Sequence, residues 1–135
     1  MAMKFSVAVR NARLDAVEST IGTTPLLQIF TGTEPTNITD ADSGTKLVEM
    51  TLPSDWMAAA SAASKAKSGT WQSTGITNGT AGYFRVKNAA SPFTTHIQGN
   101  ITATGGGGVM ELDNTSIATS QQVTVTTFTL TAGNP

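Results

Sequence analysis

Residues 46–52, K-L-V-E-M-T-L, constrain the fold more than any other stretch of the chain. Val48, Met50 and Leu52 fall on one side of an extended strand, and Glu49 and Thr51 on the other. That period of two marks a strand with one packed face and one wetted face. Leu47 breaks the pattern and predicts partial cover on the outward side. Burying Val48, Met50 and Leu52 contributes on the order of 1.5–3 kcal/mol each, provided a second layer packs against them. One strand cannot supply that layer, so the neighbouring segments must, within the 135 residues that suit a single core.

Those neighbours read as strands too. Residues 25–31, P-L-L-Q-I-F-T, put Leu26 and Phe30 on one face and Leu27 and Ile29 on the other, which predicts cover on both sides. Residues 82–87, G-Y-F-R-V-K, alternate with Phe84 and Val86 inward and Tyr83, Arg85 and Lys87 outward. Residues 94–102 place Ile97 and Ile101 on one face, with Gly99 between them where another backbone can approach. In the last strand, 121–131, Val123 and Val125 differ in parity from Phe128 and Leu130, and a β-bulge at Thr126-Thr127 would bring all four to one side. Shorter strands are expected from Trp71 and over 109–112. Asn78-Gly79 signals a two-residue hairpin, and Gly105–Gly108 a hairpin tip. Residues 32–44, with Pro35, Asn37, Asp40, Asp42 and Ser43, form a long surface connection of the kind that makes contacts. Seven or eight strands at this spacing predict a mainly β fold, an antiparallel β-sandwich.

Residues 6–21 predict an N-terminal α-helix, with Ser6 as its cap and Gly22 at the left-handed position after it. Val7, Leu14, Val17 and Ile21 make a narrow apolar stripe, while Arg10, Arg13, Asp15 and Glu18 take the other faces. The organisation is then a helical segment, 1–22, packed on its own domain or on a neighbouring subunit, and a sandwich domain, 23–135. The Ala-rich run 57–63 after Ser54 predicts a second, short helix, followed by a loop over 64–69.

Charged residues are 13% of the chain, against roughly 25% in a typical globular protein. A net charge of -1 argues against nucleic acid as a partner, and Lys65 and Lys67 read as a solvated pair. Without cysteine there are neither disulfides nor thiolate metal sites. No run approaches the roughly 18 apolar residues of a membrane span, and 5–9 is too short for a signal peptide, so the expectation is a soluble product of a cytoplasm with no membrane partner. Catalytic chemistry finds little to use. His96 is the sole histidine, and no serine is placed to partner it. Asp40-Ala41-Asp42-Ser43-Gly44 looks like the opening of a calcium loop but lacks the closing glutamate, and Asx-turn chemistry accounts for the same residues. Gly105–Gly108 lacks the Lys-Ser or Lys-Thr of a phosphate loop. No enzyme activity, cofactor or metal is expected. The candidate contact residues are Val7, Arg10, Arg13 and Leu14 on the helix, with Trp56 and Trp71, which either anchor an interface or close the end of the sandwich.

Several phrases together carry a likeness: R-N-A-R-L-D-A-V-E-S-T-I-G at 10–22, P-L-L-Q-I-F-T-G at 25–32, A-D-S-G-T-K-L at 41–47, L-P-S-D-W-M at 52–57, and the ending Q-Q-V-T-V-T-T-F-T-L-T-A-G-N-P. The chain resembles small tailed-bacteriophage proteins encoded among virion structural genes. That resemblance implies a virion component, on the capsid surface. It implies a jelly-roll-like decoration or cement protein, a homo-oligomer with a trimer favoured, partnered by the major capsid protein. A tail or head–tail junction component is the structural alternative. A receptor- or carbohydrate-binding module, with Trp56, Trp71 or Tyr83 as a platform, is the alternative from another class.

Overall fold

The computed structural model describes residues 2–134. One helix, α1 (Val7–Ile21), precedes nine strands: β1 (Leu26–Thr31), β2 (Lys46–Thr51), β3 (Ser64–Ala66), β4 (Gln72–Thr74), β5 (Gly79–Lys87), β6 (Thr95–Ala103), β7 (Met110–Leu112), β8 (Ser116–Ile117) and β9 (Gln122–Thr131). They pair in the order β2-β1-β5-β6-β7-β9-β3, with β4 also on β9 and β8 on β5. The sheet curls until its ends meet: Val48 bridges Gly75 just beyond β4, and Ile76 N donates to the Leu47 carbonyl at 2.8 Å. Gly75 is required at that seam, because a Cβ there would collide with the Ala118 carbonyl. The mainly β fold with an N-terminal helix stands, with opposite walls of one curled sheet acting as the two layers. The pairing is mixed rather than purely antiparallel, since β6 and β7 run parallel. Gly105–Gly108 therefore joins parallel neighbours and is not a hairpin tip.

The core lies inside the curl. Leu27, Ile29, Val48, Phe84, Val86, Met110, Leu112 and Val123 are buried completely. The expected bulge is present: Glu111 pairs Thr127 whereas Leu112 pairs Val125, so Thr126 is the extra residue. Val123, Val125 and Phe128 consequently all turn inward, with Leu130 half-buried against the same core. An aromatic chain runs through the centre, Trp56 to Trp71 (6.1 Å between centroids), Trp71 to Phe128 (5.4 Å) and Phe128 to Phe84 (5.6 Å, edge-on). Both indole N–H groups find backbone acceptors at 3.0 Å, Trp56 at Gly22 and Trp71 at Ser68, as buried indoles require.

Helix α1 begins as expected, with Ser6 Oγ accepting from Val9 N, and ends at Gly22, whose φ is +91°. It docks on its own domain. Leu14 and Ile21 are buried, but a polar stripe beside them does as much: Asn11 accepts from Ala63 N, Asp15 from Ala60 N, and Asp15 and Glu18 both grip the Lys65 ammonium at 2.7 and 2.8 Å. Lys65 is therefore a buried fastener and not a solvated lysine.

The stretch it fastens corrects two further expectations. Residues 57–67 form a β-hairpin, not a helix and a loop. Ser61 and Ser64 exchange both backbone hydrogen bonds across Ala62-Ala63, whose φ angles are +49° and +59°. Alanine's helix preference is weak, and the long-range partners of Met57, Ala60, Ala63 and Lys65 override it. Asn78-Gly79 makes no hairpin either, since β4 pairs with β9. The Asn78 carboxamide oxygen instead caps the 118–121 turn by accepting from Thr119 N at 2.8 Å.

Candidate functional site

Outside the curl, the face of β1, β2, β5 and β6 that alternation assigns to solvent is wet only in part, being exposed at Glu49 and Thr51 and covered over β5. Registered pairing lines up Glu49, Gln28, Arg85 and Gln98 in one row across the four strands, with Phe30 and Tyr83 in the row to one side and Leu26 and Lys87 in the row to the other. Tyr83, Arg85 and Lys87 are nonetheless buried, at 0%, 1% and 9% exposure. The 32–44 connection lies over them as a strap.

Each of those three side chains ties the strap down. Tyr83, stacked on Phe30 at 5.0 Å, donates its hydroxyl to the Ser43 carbonyl at 2.6 Å and accepts from Ser43 N at 3.0 Å. Arg85 uses all five of its N–H donors. Nε and one Nη2 proton go to Gln98 Oε1, Nη1 to the Asp40 carbonyl (2.7 Å) and Asp42 Oδ1 (2.9 Å), and the other Nη2 proton to the Asn37 carbonyl (3.5 Å). Lys87 donates to Asp42 Oδ2 at 2.7 Å. Gln98 reaches the Pro35 carbonyl with its own amide, 2.7 Å away. The strap's root is equally tight, with Thr31 and Thr45 exchanging hydrogen bonds and a Cβ on Gly82 colliding with the Gly32 carbonyl.

The electrostatics follow from this geometry. Partial burial pushes the Asp42 carboxyl upward, but the hydrogen bonds and charges of Lys87 and Arg85 more than offset that and hold it below the ordinary value. Glu49 is held low by Lys46 first and by the Gln28 amide second. The exposed Asp40 carboxylate accepts from Asn37 N at 3.0 Å, reaching three residues back where an Asx turn reaches two residues on. Asp40 and Asp42 thus serve the strap, and Asp42 already faces two cations. Among the described residues no group of three or more His, Asp or Glu is placed to hold a metal ion.

Beside the strap lies an open depression of about 370 Å³, walled by residues 38–42 on one side and 93–95 on the other, with Arg85 and Lys87 in its floor. Phe93 and Ile38 stand at its rim, 53% and 39% exposed. This is the candidate site. Sequence reasoning set Asp40 and Asp42 against an incomplete calcium loop, preferred turn chemistry for them, and read Arg85 and Lys87 as outward strand residues. The signal available was the acidic pair in a long loop set against cations on a strand, which together make an ion-paired cover.

The predicted contact residues are not brought together here. Trp56, Trp71 and Leu14 belong to the interior, and with Tyr83 also covered, no aromatic platform for a glycan exists at these positions. Arg10 donates to the Ala132 carbonyl at 2.5 Å, and the Arg13 guanidinium lies over the Phe5 ring, 5.4 Å from its centroid. Val7 alone of the six is an exposed apolar side chain, near exposed Met3 and Val9 in sequence. His96 lines a shallow groove with Arg13, Val17 and Thr20. The glycine loop is closed to phosphate by its own chain, because Glu111 Oε2 accepts from Gly105 N and Gly107 N at 3.1 and 3.0 Å. Compared with protein-family models, curated proteins and solved structures, the chain matches none.

Proposed function

We propose that this chain is a non-enzymatic structural component of a bacteriophage virion, a capsid decoration or cement protein that stabilises contacts between major capsid subunits as a homo-oligomer. The observation that supports this reading best is the use made of its charged groups. Arg85, Lys65, Asp42, Asp15 and Glu18 are committed to fastening the strap and the helix to the sheet, and what they build is a stiff body. Such a body suits attachment by shape to a repeating lattice, where several modest contacts multiply into firm binding. The resemblance of the phrases at 10–22, 25–32, 41–47 and 52–57 to tailed-phage structural proteins is the other support for this reading. Val7, Val9 and Met3 give the N-terminal end an apolar surface on which such contacts can form.

The test is quantitative mass spectrometry of purified particles, paired with co-sedimentation of the purified chain with heads lacking it. Hundreds of copies per particle and saturable binding to heads are expected. A few dozen copies or fewer would move the protein to the tail, and none would overturn the virion reading.

A further inference from the structure

We propose that the depression between the strap and residues 93–95 is a receptor for a carboxylate carried beside an apolar side chain on a partner polypeptide, with Lys87 as the group that binds it. An ammonium has three N–H donors. Among the described residues, Lys87 directs one hydrogen bond to Asp42, while its side chain is only 11% exposed and lines the depression. From that side a further acceptor can reach its ammonium. Arg85 beside it has none to spare.

Charge agrees with this. The floor holds two cations, Arg85 and Lys87, against the single carboxylate of Asp42. Asp40 stands at the exposed lip, bonded to Asn37, and Glu49 is bonded to Lys46 and Gln28. The lining is balanced overall, but its two cations are buried and its two carboxylates, Asp40 and Asp42, are exposed, so the deep end of the depression is the positive end and favours an incoming anion. Because the guanidinium fork is fully used, the receptor is a single ammonium. That suits a carboxylate better than a phosphate, whose binding sites present several donors at once.

The rim defines the rest of the ligand. Phe93 and Ile38 flank the charged floor, so a carboxylate entering with an adjacent apolar group covers both. At about 370 Å³ the depression is at the small end of ligand sites and takes one or two side chains. It is also open, so a small molecule would leave much of its surface wet, whereas a chain passing over the rim would cover it. The proposal concerns what this depression binds and does not rest on the virion reading.

The probe is phenylacetate, titrated into the isotope-labelled chain and followed by amide NMR, with neutral phenylacetamide, inorganic phosphate and the blocked peptide acetyl-Phe-Asp-amide as comparators. Phenylacetate should give saturable shifts at residues 93–95 and 40–42, and the amide should bind about tenfold more weakly, the loss expected of one charge-assisted hydrogen bond. The peptide should bind more tightly than phenylacetate. Lys87→Met should abolish the shifts, and Phe93→Ala, at an exposed position where folding is unaffected, should weaken them several-fold. Four results would overturn the proposal: no saturation, equal binding of acid and amide, tighter binding of phosphate, or unchanged affinity in Phe93→Ala. A peptide no better than phenylacetate would overturn the polypeptide assignment. Should Lys87→Met fail to fold, the amide and Phe93→Ala arms decide.

Discussion

Replacing Arg85 by methionine tests whether the strap is held by charge or merely by packing. Methionine retains most of the aliphatic stem, so the cavity left behind is small. The substitution removes five hydrogen bonds and leaves the Asp40 carbonyl and Gln98 Oε1 without their donor, while the Asn37 carbonyl keeps only Asp40 N and Asp42 keeps only Lys87. Breaking a buried pair by deleting one partner costs about 3–5 kcal/mol. Asp42 is 37% exposed, so water recovers part of that loss and the expectation falls to about 2–3 kcal/mol. For a domain of this size, the melting temperature should drop by roughly 10 °C. Calorimetry and urea denaturation measure the loss. Hydrogen exchange then locates it, because the Ser43 amide, which donates to Tyr83 Oη, should open far more readily while amides in β9 change only with global stability. Lys46→Met is the control, its pair with Glu49 being a surface one worth less than about 1 kcal/mol. A loss in Arg85→Met no larger than in that control, with Ser43 exchange unchanged, would refute the reasoning.

The 57–67 hairpin predicts its own improvement: Ala62→Asn, at an exposed position with φ near +49°, should stabilise by about 0.5–1 kcal/mol in urea denaturation, because asparagine accepts the left-handed region more readily than alanine. Acid titration should show a contribution from Asp42 that is full above its ordinary value of 3.8 and lost as pH falls through the lower folded value; Asp42→Asn should remove that slope from the stability–pH curve. At the other end, burial pushes the Lys65 ammonium down, but Asp15 and Glu18 raise it further. Its contribution is full below the ordinary value of 10.5 and lost as pH rises through the folded one, so Lys65→Met should flatten the alkaline limb. Tryptophan emission should be blue-shifted and insensitive to acrylamide until the chain unfolds, since both indoles are buried; ready quenching in the native state would contradict their place in the core.

What the sequence disclosed was local, and what it concealed was remote. Alternation in 46–52, the cap at Ser6 and the parity slip at Thr126-Thr127 are each set by a few adjacent residues, and each is found where the pattern puts it; the strand at 82–87 is there too, but Tyr83 to Lys87 are all buried. The strap, the hairpin and the pairing of β4 depend on partners far along the chain. Arg85 reads as an outward strand residue until Asp42, forty-three positions away, comes over it. Ala62-Ala63 reads as helix because nothing nearby announces that Asn11 and Asp15 will take up the backbone donors of Ala63 and Ala60. Asn78-Gly79 has a hairpin's residues without a hairpin's flanks, since the strand before it belongs to β9. The depression inherits this difficulty. Its walls come from two loops and its floor from β5, so no single window contains it.

Low charge in this chain goes with internal use of what charge there is. Its Lys and Arg side chains are turned to partners within the molecule: Arg10 at the Ala132 carbonyl, Arg13 over Phe5, Lys46 at Glu49, Lys65 at Asp15 and Glu18, Lys67 at the Gly69 carbonyl, and Arg85 and Lys87 at Asp42. A curled sheet of this length has an inner face that makes the core and an outer face that would lie open, with Phe30 and Leu26 among its residues. Cations reaching up from β5 let a polar loop cover that face without leaving its carbonyls or its aspartate unsatisfied. The consequence for function is specific. With 13% charged residues and a net charge of -1 there is little field to steer a partner from a distance, so recognition has to rest on shape and on the few places where polar capacity is left over. Lys87 beside Phe93 is such a place. Mutating Lys65, which lies away from the depression, should therefore lower stability while leaving the affinity of the folded protein for its partner nearly unchanged, and mutating Phe93 should do the reverse.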